Sequence, residues 1–579
     1  MQNNNSNILI ATILSIAVLI GWTFFVEMPR VEKEQQMQEV ASEALDKKPV
    51  IEKARPEIAK DNLATKKPAI ELNQNREKLI KDSSDLRVKI ENNNIIGSIN
   101  LVGAKFDDLT LKKYFKSIDK EQNVVLLSPS KSKERYFSDF GWVSSDTKID
   151  LPKPDTIWSA DKSELEAGQS LNLSWQNREG VEFIIKISLD DNFLFDIKQI
   201  VKNNSSKDFT VASYGRVNRA LPQLQQAIFI LHEGAIGVFN KVLEEVNYAN
   251  LMEEKNLSYS ASNGGWFGIT DKYWMATIIP DKSLEYDASF SYYDSSGVKF
   301  FNSEYVGQEF LVRAGQELEF KNHLYAGAKK VRLLDQYSKK YDIALFDRAV
   351  DFGWFYFLTK PFFFIIQLFN QFLGNFGLAI LATTILIKLA LFPMANKSYI
   401  AIGRIKKLQP KIEEIRANYK DDKMAMNKAM MEMYKREKVN PASGCLPAII
   451  QIPVFFALYK VLFVTIDMRH APFYGWVKDL SAADPTSIFN LFGLLPFEVS
   501  GFFNLGIWPL LMGISMIVQQ KLNPPAADPT QAKILKWMPY IITIVLATFP
   551  AGLVIYWTWS NILSILQQWY ITKRLQSKN

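Results

Sequence analysis

The sequence predicts a polytopic α-helical membrane protein: six transmembrane helices, five of them forming a core, with a large all-β sandwich domain inserted after the first span. Three observations carry that expectation. Apolar runs near twenty residues occur at the N-terminus and again after Phe352, and about twenty such residues cross a hydrocarbon core as a helix. Between them, from about Asp85 to Phe346, the hydrophobic period changes to two. Basic residues cluster between the later runs on alternate sides, which is a topology signal.

The 579 residues leave room for two or more domains. A net charge of +7, with no basic block, argues against sequence-specific nucleic-acid binding. The single cysteine, Cys445, excludes an intramolecular disulfide. His232, His323 and His470 lack metal-ligand spacing. No catalytic residue, metal or cofactor is expected.

The first span, Ile8–Val26, lacks a basic leader and a cleavage site, so residues 1–27 are expected to be an uncleaved signal anchor. Residues 28–84 are rich in Lys, Glu, Gln and Ala and read as a charged flexible linker. Residues 85–346 form the sandwich. In Val181–Leu189, Val181, Phe183, Ile185, Ile187 and Leu189 alternate on one strand face. Asn/Gly/Ser/Asp clusters supply the turns, and many short strands without helical alternation imply antiparallel sheets. Asp190 and Asp191 are adjacent but have no partner motif, and Gly264-Gly265-Trp266 reads as a turn into a strand.

The remainder, 347–579, is membranous. Residues 351–372 are too aromatic and interrupted for a span and suit an interfacial helix. Spans follow at about 375–395, 446–466, 506–520, 538–550 and 552–571, the last two separated at Phe549-Pro550-Ala551-Gly552. The loop Lys397–Gly444 carries twelve Lys/Arg against six Asp/Glu, whereas Asp467–Leu505 has only Arg469 and Lys478. The positive-inside rule then puts both termini in the cytoplasm and residues 28–350 outside. Within 398–438, Ile405, Leu408, Ile412 and Ile415 make one helical seam, and Met426, Met430 and Met433 a matching one on a returning helix. The methionines are either a soft contact surface for apolar ligands or the packing of the hairpin itself.

Lys388 stands in the apolar run Phe376–Ala395. A charge at mid-helix costs roughly 2.5–3.5 kcal/mol on insertion scales. It either snorkels to the helix end or faces a hydrated cavity. Other polar residues recur at helical spacing: Thr384 with Lys388, Ser515 with Gln519, and Trp557, Asn561, Ser564 and Gln568 in one stripe, with Gln451 between Pro447 and Pro453. They are either interhelical hydrogen bonds or the lining of one aqueous groove.

At these residues the chain resembles the YidC membrane-protein insertase family in its Gram-negative form. The resemblance rests on Phe352-Gly353-Trp354, Gly374-Asn375-Phe376-Gly377, Leu408-Gln409-Pro410-Lys411-Ile412, Lys438-Val439-Asn440-Pro441 with Gly444-Cys445, Gln451-Ile452-Pro453-Val454-Phe455, Phe549-Pro550-Ala551-Gly552 and Ser560-Asn561. It implies an inner-membrane, non-enzymatic insertase and chaperone with a hydrophilic groove open to the cytoplasm and closed outward. It further implies a periplasmic β-super-sandwich and a mobile cytoplasmic hairpin. The implied partners are nascent integral membrane proteins, the Sec translocon, the ribosome and membrane lipids. One departure is that Lys388 stands where the family's groove cation is typically Arg, which removes the planar fork for bidentate carboxylate capture. Another is that Phe489–Asn504 looks like an insertion without an assignable role. The competing class is a small-solute or ion transporter using Lys388 as a binding charge, which would predict an internal repeat that the sequence does not display.

Overall fold

The computed structural model describes residues 75–576 except 147–148, 222–230, 263, 296, 354, 420–421, 440–445, 496–504 and 524–528. The expected first span, most of the linker and Cys445 lie outside the described residues. The chain divides into two compact units between Asp351 and Phe352.

The first unit starts before the strands. Helix α1, Arg76–Asp82, is capped by Asn75, whose Oδ1 accepts from Glu77 N at 2.9 Å, and Arg76 pairs with Asp108. The end of the expected flexible linker is therefore ordered against the sheet. Its charge density concealed a capped helix with a fixed ion-pair partner.

Two sheets follow, of eleven and nine strands among the described residues. Val181–Leu189 buries every second side chain as its sequence requires. It pairs antiparallel with Leu194–Asn203, which pairs in turn with Glu317–Ala328. Asp190 makes the intervening turn: its Oδ1 accepts from Asn192 N (2.8 Å) and Leu194 N (3.0 Å). The Asp190-Asp191 pair thus has a turn to make. Gly264 and Gly265 have φ of +71° and +127°, and a Cβ on Gly265 would lie 2.2 Å from Val238 O. Only glycine enters the strand Gly265–Thr270 this way.

Aromatic rings join the sheets. Phe106 meets Phe195 at 5.3 Å and Trp142 meets Phe183 at 5.2 Å between centroids. Each such buried ring contributes about 1.5–3 kcal/mol. Between the sheets, Tyr305 donates to Asn322 Oδ1 (2.7 Å) and Asn322 donates to Gln199 Oε1 (2.8 Å), so these buried amides are satisfied. The unit is mostly rather than wholly β. Helices α2 (Tyr248–Glu254) and α3 (Val331–Lys340) belong to it, and α3 buries Val331, Leu333, Leu334 and Tyr337.

The second unit is helical: α4 (Tyr356–Leu373), α5 (Phe376–Ala390), α6 (Phe392–Lys407), α7 (Gln409–Asn418), α8 (Lys423–Arg436), α9 (Leu446–Val464), α10 (Ile507–Leu522), α11 (Pro529–Leu546) and α12 (Ala551–Gln576). Gly374, at φ +65°, ends α4, and Asn375 caps α5 by accepting from Leu378 N at 3.1 Å. The expected span 375–395 stops at Ala390. Pro393 stands in the first turn of α6 and cannot supply the N–H that would continue α5. The two helices meet at 68°. In α6, Tyr399 and Ile402 pack on Ile571 of α12, so the first part of the expected hairpin 398–438 belongs to the bundle. The hairpin proper is α7 and α8, closed by Ile405, Leu408, Ile412, Met430, Met433, Tyr434 and Val439.

No single helix among the described residues is long and apolar enough to cross a membrane by itself, whereas α5 and the bent α6 reach that length together. Lys533, Lys536 and Pro539 lower the apolar content of α11, which begins nine residues before the expected 538. The outward side chains are nonetheless apolar: Leu386 and Leu389 on α5, Ile514 and Val518 on α10, Ile541 and Ile544 on α11, and Leu566 on α12 are exposed. Contiguous apolar exposure of this kind suits lipid rather than water.

One end of the bundle is closed by the segment between α9 and α10. Asn375 at the start of α5 donates to Pro472 O (3.2 Å), and Phe473 fills the space beside Gly377. Ala551 N and Gly552 N at the start of α12 donate to Ala482 O (2.7 Å) and Leu480 O (3.0 Å). Trp508 N at the start of α10 donates to Asp484 Oδ2 (2.9 Å). Orphan N–H groups at the starts of α10 and α12 are thereby met by one loop, which also accepts from the Asn375 side chain at the start of α5. The starts of α5, α10 and α12 thus share one end of the bundle.

Candidate functional site

Lys388 projects from the last turn of α5. Its Nζ donates to Gln451 Oε1 on α9 at 3.1 Å and to Ser564 Oγ on α12 at 2.8 Å. Three helices therefore converge on one ammonium. Gln451 completes the set by donating to Tyr556 OH. Ser564 accepts from Lys388 while donating to Ser560 O at 2.9 Å, so its single proton is accounted for. Gln567 Nε2 reaches Lys388 O at 3.4 Å.

The amino group thus ends on neighbouring helices instead of running along α5 to its end. Both ligands are neutral, and among the described residues no carboxylate forms a salt bridge with Lys388. Hydrogen bonds to a charged group contribute about 1.5–3 kcal/mol each. Two of them are comparable with the roughly 2.5–3.5 kcal/mol insertion cost. The charge is accommodated without being cancelled, and an ammonium has a third donor.

The other expected groove residues divide. Thr384 is buried and donates to Ile380 O of its own helix (2.7 Å), as a mid-helix threonine often does. Ser515 Oγ donates to Met512 O (2.6 Å) and accepts from Asn561 Nδ2 (2.9 Å). Gln568 Nε2 donates to Leu522 O (3.3 Å) and Asn523 Oδ1 (3.1 Å) at the end of α10. Asn561 and Gln568 therefore tie α12 to α10, and only Ser564 of the expected stripe meets Lys388. Gln519 lies one turn beyond Ser515 and is half-buried. Trp557 packs edge-on against Phe455 at 4.8 Å, beside Met512, Leu546 and Val554, and stands in an apolar cluster.

Ser564 is shared by the expected stripe and by a second line on α12. Tyr556, Ser560 and Ser564 recur every four residues; Tyr556 accepts from Gln451, Ser564 accepts from Lys388, and Ser560 O accepts from Ser564. Both lines have helical spacing on α12, so spacing by itself does not choose between them. Gln567 carried no signal, since its contact is with a backbone carbonyl on another helix.

In the hairpin, Met430 and Met433 are buried in its own core and Met426 is half-buried. The first two therefore hold the hairpin together, and the exposed methionines are Met424 and Met431.

The β unit uses its buried charges differently. Arg216 binds both oxygens of Asp139 at 3.0 Å, Arg219 holds Asp271 at 2.6 Å, and Arg87 holds Asp107 at 2.7 Å. Lys329 Nζ donates to Thr270 Oγ1 at 3.0 Å, and burial pushes it down to about 8. Burial likewise pushes His232 down to about 4; its Nε2 lies 2.9 Å from Ala235 O. Among the described residues no three His, Cys, Asp or Glu side chains gather as a metal site.

The comparisons cover both units. Residues 87–365 match the family model described as YidC periplasmic domain, and 368–578 that described as 60Kd inner membrane protein. A protein named membrane protein insertase YidC from Rickettsia bellii is 46% identical over 574 residues, covering 99% of this chain and all of that one. The Rickettsia akari protein of the same name shows the same identity and coverage. Among solved structures, an active YidC insertase with its first transmembrane domain resolved aligns over 87% of this chain and 94% of its own, at 15% identity and a TM-score of 0.35.

Proposed function

The chain belongs to the YidC family of membrane protein insertases, and from that premise we propose that Lys388 is the charge that receives incoming substrate. It is an inner-membrane protein with a mostly β periplasmic domain, and its work is insertion and assistance in folding, without chemical conversion of a substrate.

The observation that carries the reading is the neutral coordination of Lys388 by Gln451 and Ser564. A cation already paired with a carboxylate gains little from a second one. A cation held by two neutral oxygens has a donor left for an acidic or hydrophilic stretch of a nascent membrane protein. The family's groove would comprise Lys388, Gln451, Tyr556, Ser560 and Ser564, open toward the cytoplasm and closed outward by the 471–487 segment. Six spans with both termini inside, and with the β domain in the periplasm, are the topology this requires.

The substrate's hydrophobic segment then moves from the groove into lipid. Burial of its apolar surface, at about 25 cal/mol per Å², supplies the driving force, so no nucleotide is called for. Its polar tail crosses where hydrated side chains replace part of the hydrocarbon. The basic hairpin would meet headgroups or the ribosome, and the core would act alone or beside the Sec translocon.

The test is site-specific photocrosslinking from positions 451, 560 and 564 during synthesis of a membrane protein with an acidic translocated tail. Adducts that depend on Lys388 support the groove. Adducts confined to the outward face of α10 and α12 would place substrate elsewhere.

A further inference from the structure

The insertion seen in the sequence has a shape that the groove does not use. Beyond the closing segment the chain enters a short 3-10 turn, Ile488–Gly493. Its neck is fixed: Ile488 N donates to Leu505 O at 3.0 Å. Asp484, buried at the base, accepts from Trp476 Nε1 (3.1 Å), Thr486 Oγ1 (2.7 Å) and Trp508 N (2.9 Å). From this base the tip carries Phe489, Leu491, Phe492, Leu494 and Leu495, all exposed, Leu494 to 83%. Leu491 and Phe492 are consecutive left-handed residues, at φ +51° and +59°, and the turn they make leaves both side chains outside the fold. No charged residue occurs from Pro485 to Phe497.

Two features point to the occupant of this surface. The loop leaves the bundle at the start of α10, whose exposed Leu511, Ile514 and Val518 form an apolar line on the outward face. The neck of the loop, closed by Ile488 N on Leu505 O, stands two residues before that helix. At its base Tyr474 and Trp476 are also exposed, and such rings, apolar with one polar atom, are enriched at headgroup depth. Protein interfaces carry a polar rim, and this tip has no charge to make one.

We propose that Phe489–Leu495 is a membrane anchor, lying in the headgroup–acyl boundary of the outer leaflet beside α10. The partner is the lipid surface itself. The inference rests on the topology given under Proposed function, which places this loop outside.

The test uses the full chain with Cys445→Ser, carrying a single cysteine at Leu494→Cys or, in a second variant, Leu495→Cys, labelled with an environment-sensitive fluorophore. A label at Met424→Cys on the hairpin is the control. In vesicles of phosphatidylethanolamine and phosphatidylglycerol, the loop labels should be quenched several-fold more by lipids spin-labelled high on the acyl chain than the control, and less by aqueous iodide. Loop labels quenched by iodide and indifferent to spin-labelled lipid overturn the anchor, as does shielding that vanishes when protein is diluted in lipid, which marks a protein partner. Membrane-impermeant maleimide applied to cells separates the two readings. Reaction of 494 and 424 from the same side sinks the topology and the anchor together. Opposite sides with a water-exposed label sink the anchor alone.

Discussion

Three arginines of the β unit and the lysine at the centre of the helical unit are held by opposite means. In the β unit, Arg216, Arg219 and Arg87 each face a carboxylate at 2.6–3.0 Å. In the helical unit, Lys388 faces an amide oxygen and a hydroxyl. A paired charge fixes geometry, and breaking the pair leaves a buried ion uncompensated. A charge held by neutral ligands keeps its field for a newcomer. The contrast separates cations whose carboxylate partner is already fixed from one that keeps a donor to spare; Lys329 of the β unit, on the Thr270 hydroxyl, stands between them.

The largest test of that contrast is at Lys388. Lys388→Glu should abolish growth in a strain depleted of its own insertase and block insertion of substrates with acidic translocated tails, while Lys388→Arg should remain within a few-fold of the parent. Equal insertion by the Glu variant would erase the contrast. Arg216→Ala should do the reverse. Stranding Asp139 should destabilise the β unit by about 3–5 kcal/mol, seen as earlier unfolding of the full chain in denaturant, with insertion by the surviving folded fraction intact.

Acid probes the same unit more gently. His232 has its folded value pushed down to about 4 from an ordinary 6.5. The unfolded state therefore binds the proton first, and the neutral buried ring contributes fully above about pH 6.5. That contribution should fall as pH drops from 6.5 to 4, by about 3 kcal/mol in all, and the difference between parent and His232→Gln across that range measures it. Smallest is Ser564→Ala. Removing one of two neutral ligands should weaken the bundle by about 1–2 kcal/mol and slow insertion modestly, a change readable by pulse-labelling kinetics.

What the sequence disclosed follows the range of the forces involved. Val181–Leu189 was legible because burial alternates within one strand, and the hairpin seam because Ile405, Leu408 and Ile412 repeat along one helix. The charge at position 388 was legible because its surroundings are apolar. Its partners were harder, since Ser564 lies 176 residues away and its register depended on choosing between Tyr556 and Trp557 as the head of the line. The break at Pro393 was legible in principle, because a proline removes a known hydrogen bond, but the apolar run continued through it. Helix α1 was hidden because its stability comes from Asp108, a residue of the sheet.

The shortness of α5 has a mechanical consequence. Fifteen residues rise about 22 Å, against a hydrocarbon thickness of about 30 Å. If α5 crosses without help from α6, a bilayer around it must compress or the helix must draw polar groups inward, at fractions of a kcal/mol per Å. With Lys388 two residues from the helix end, bilayer thickness would set how far the ammonium lies from the headgroups. Such a helix would act as a gauge, the depth of its charge following the lipid composition around it.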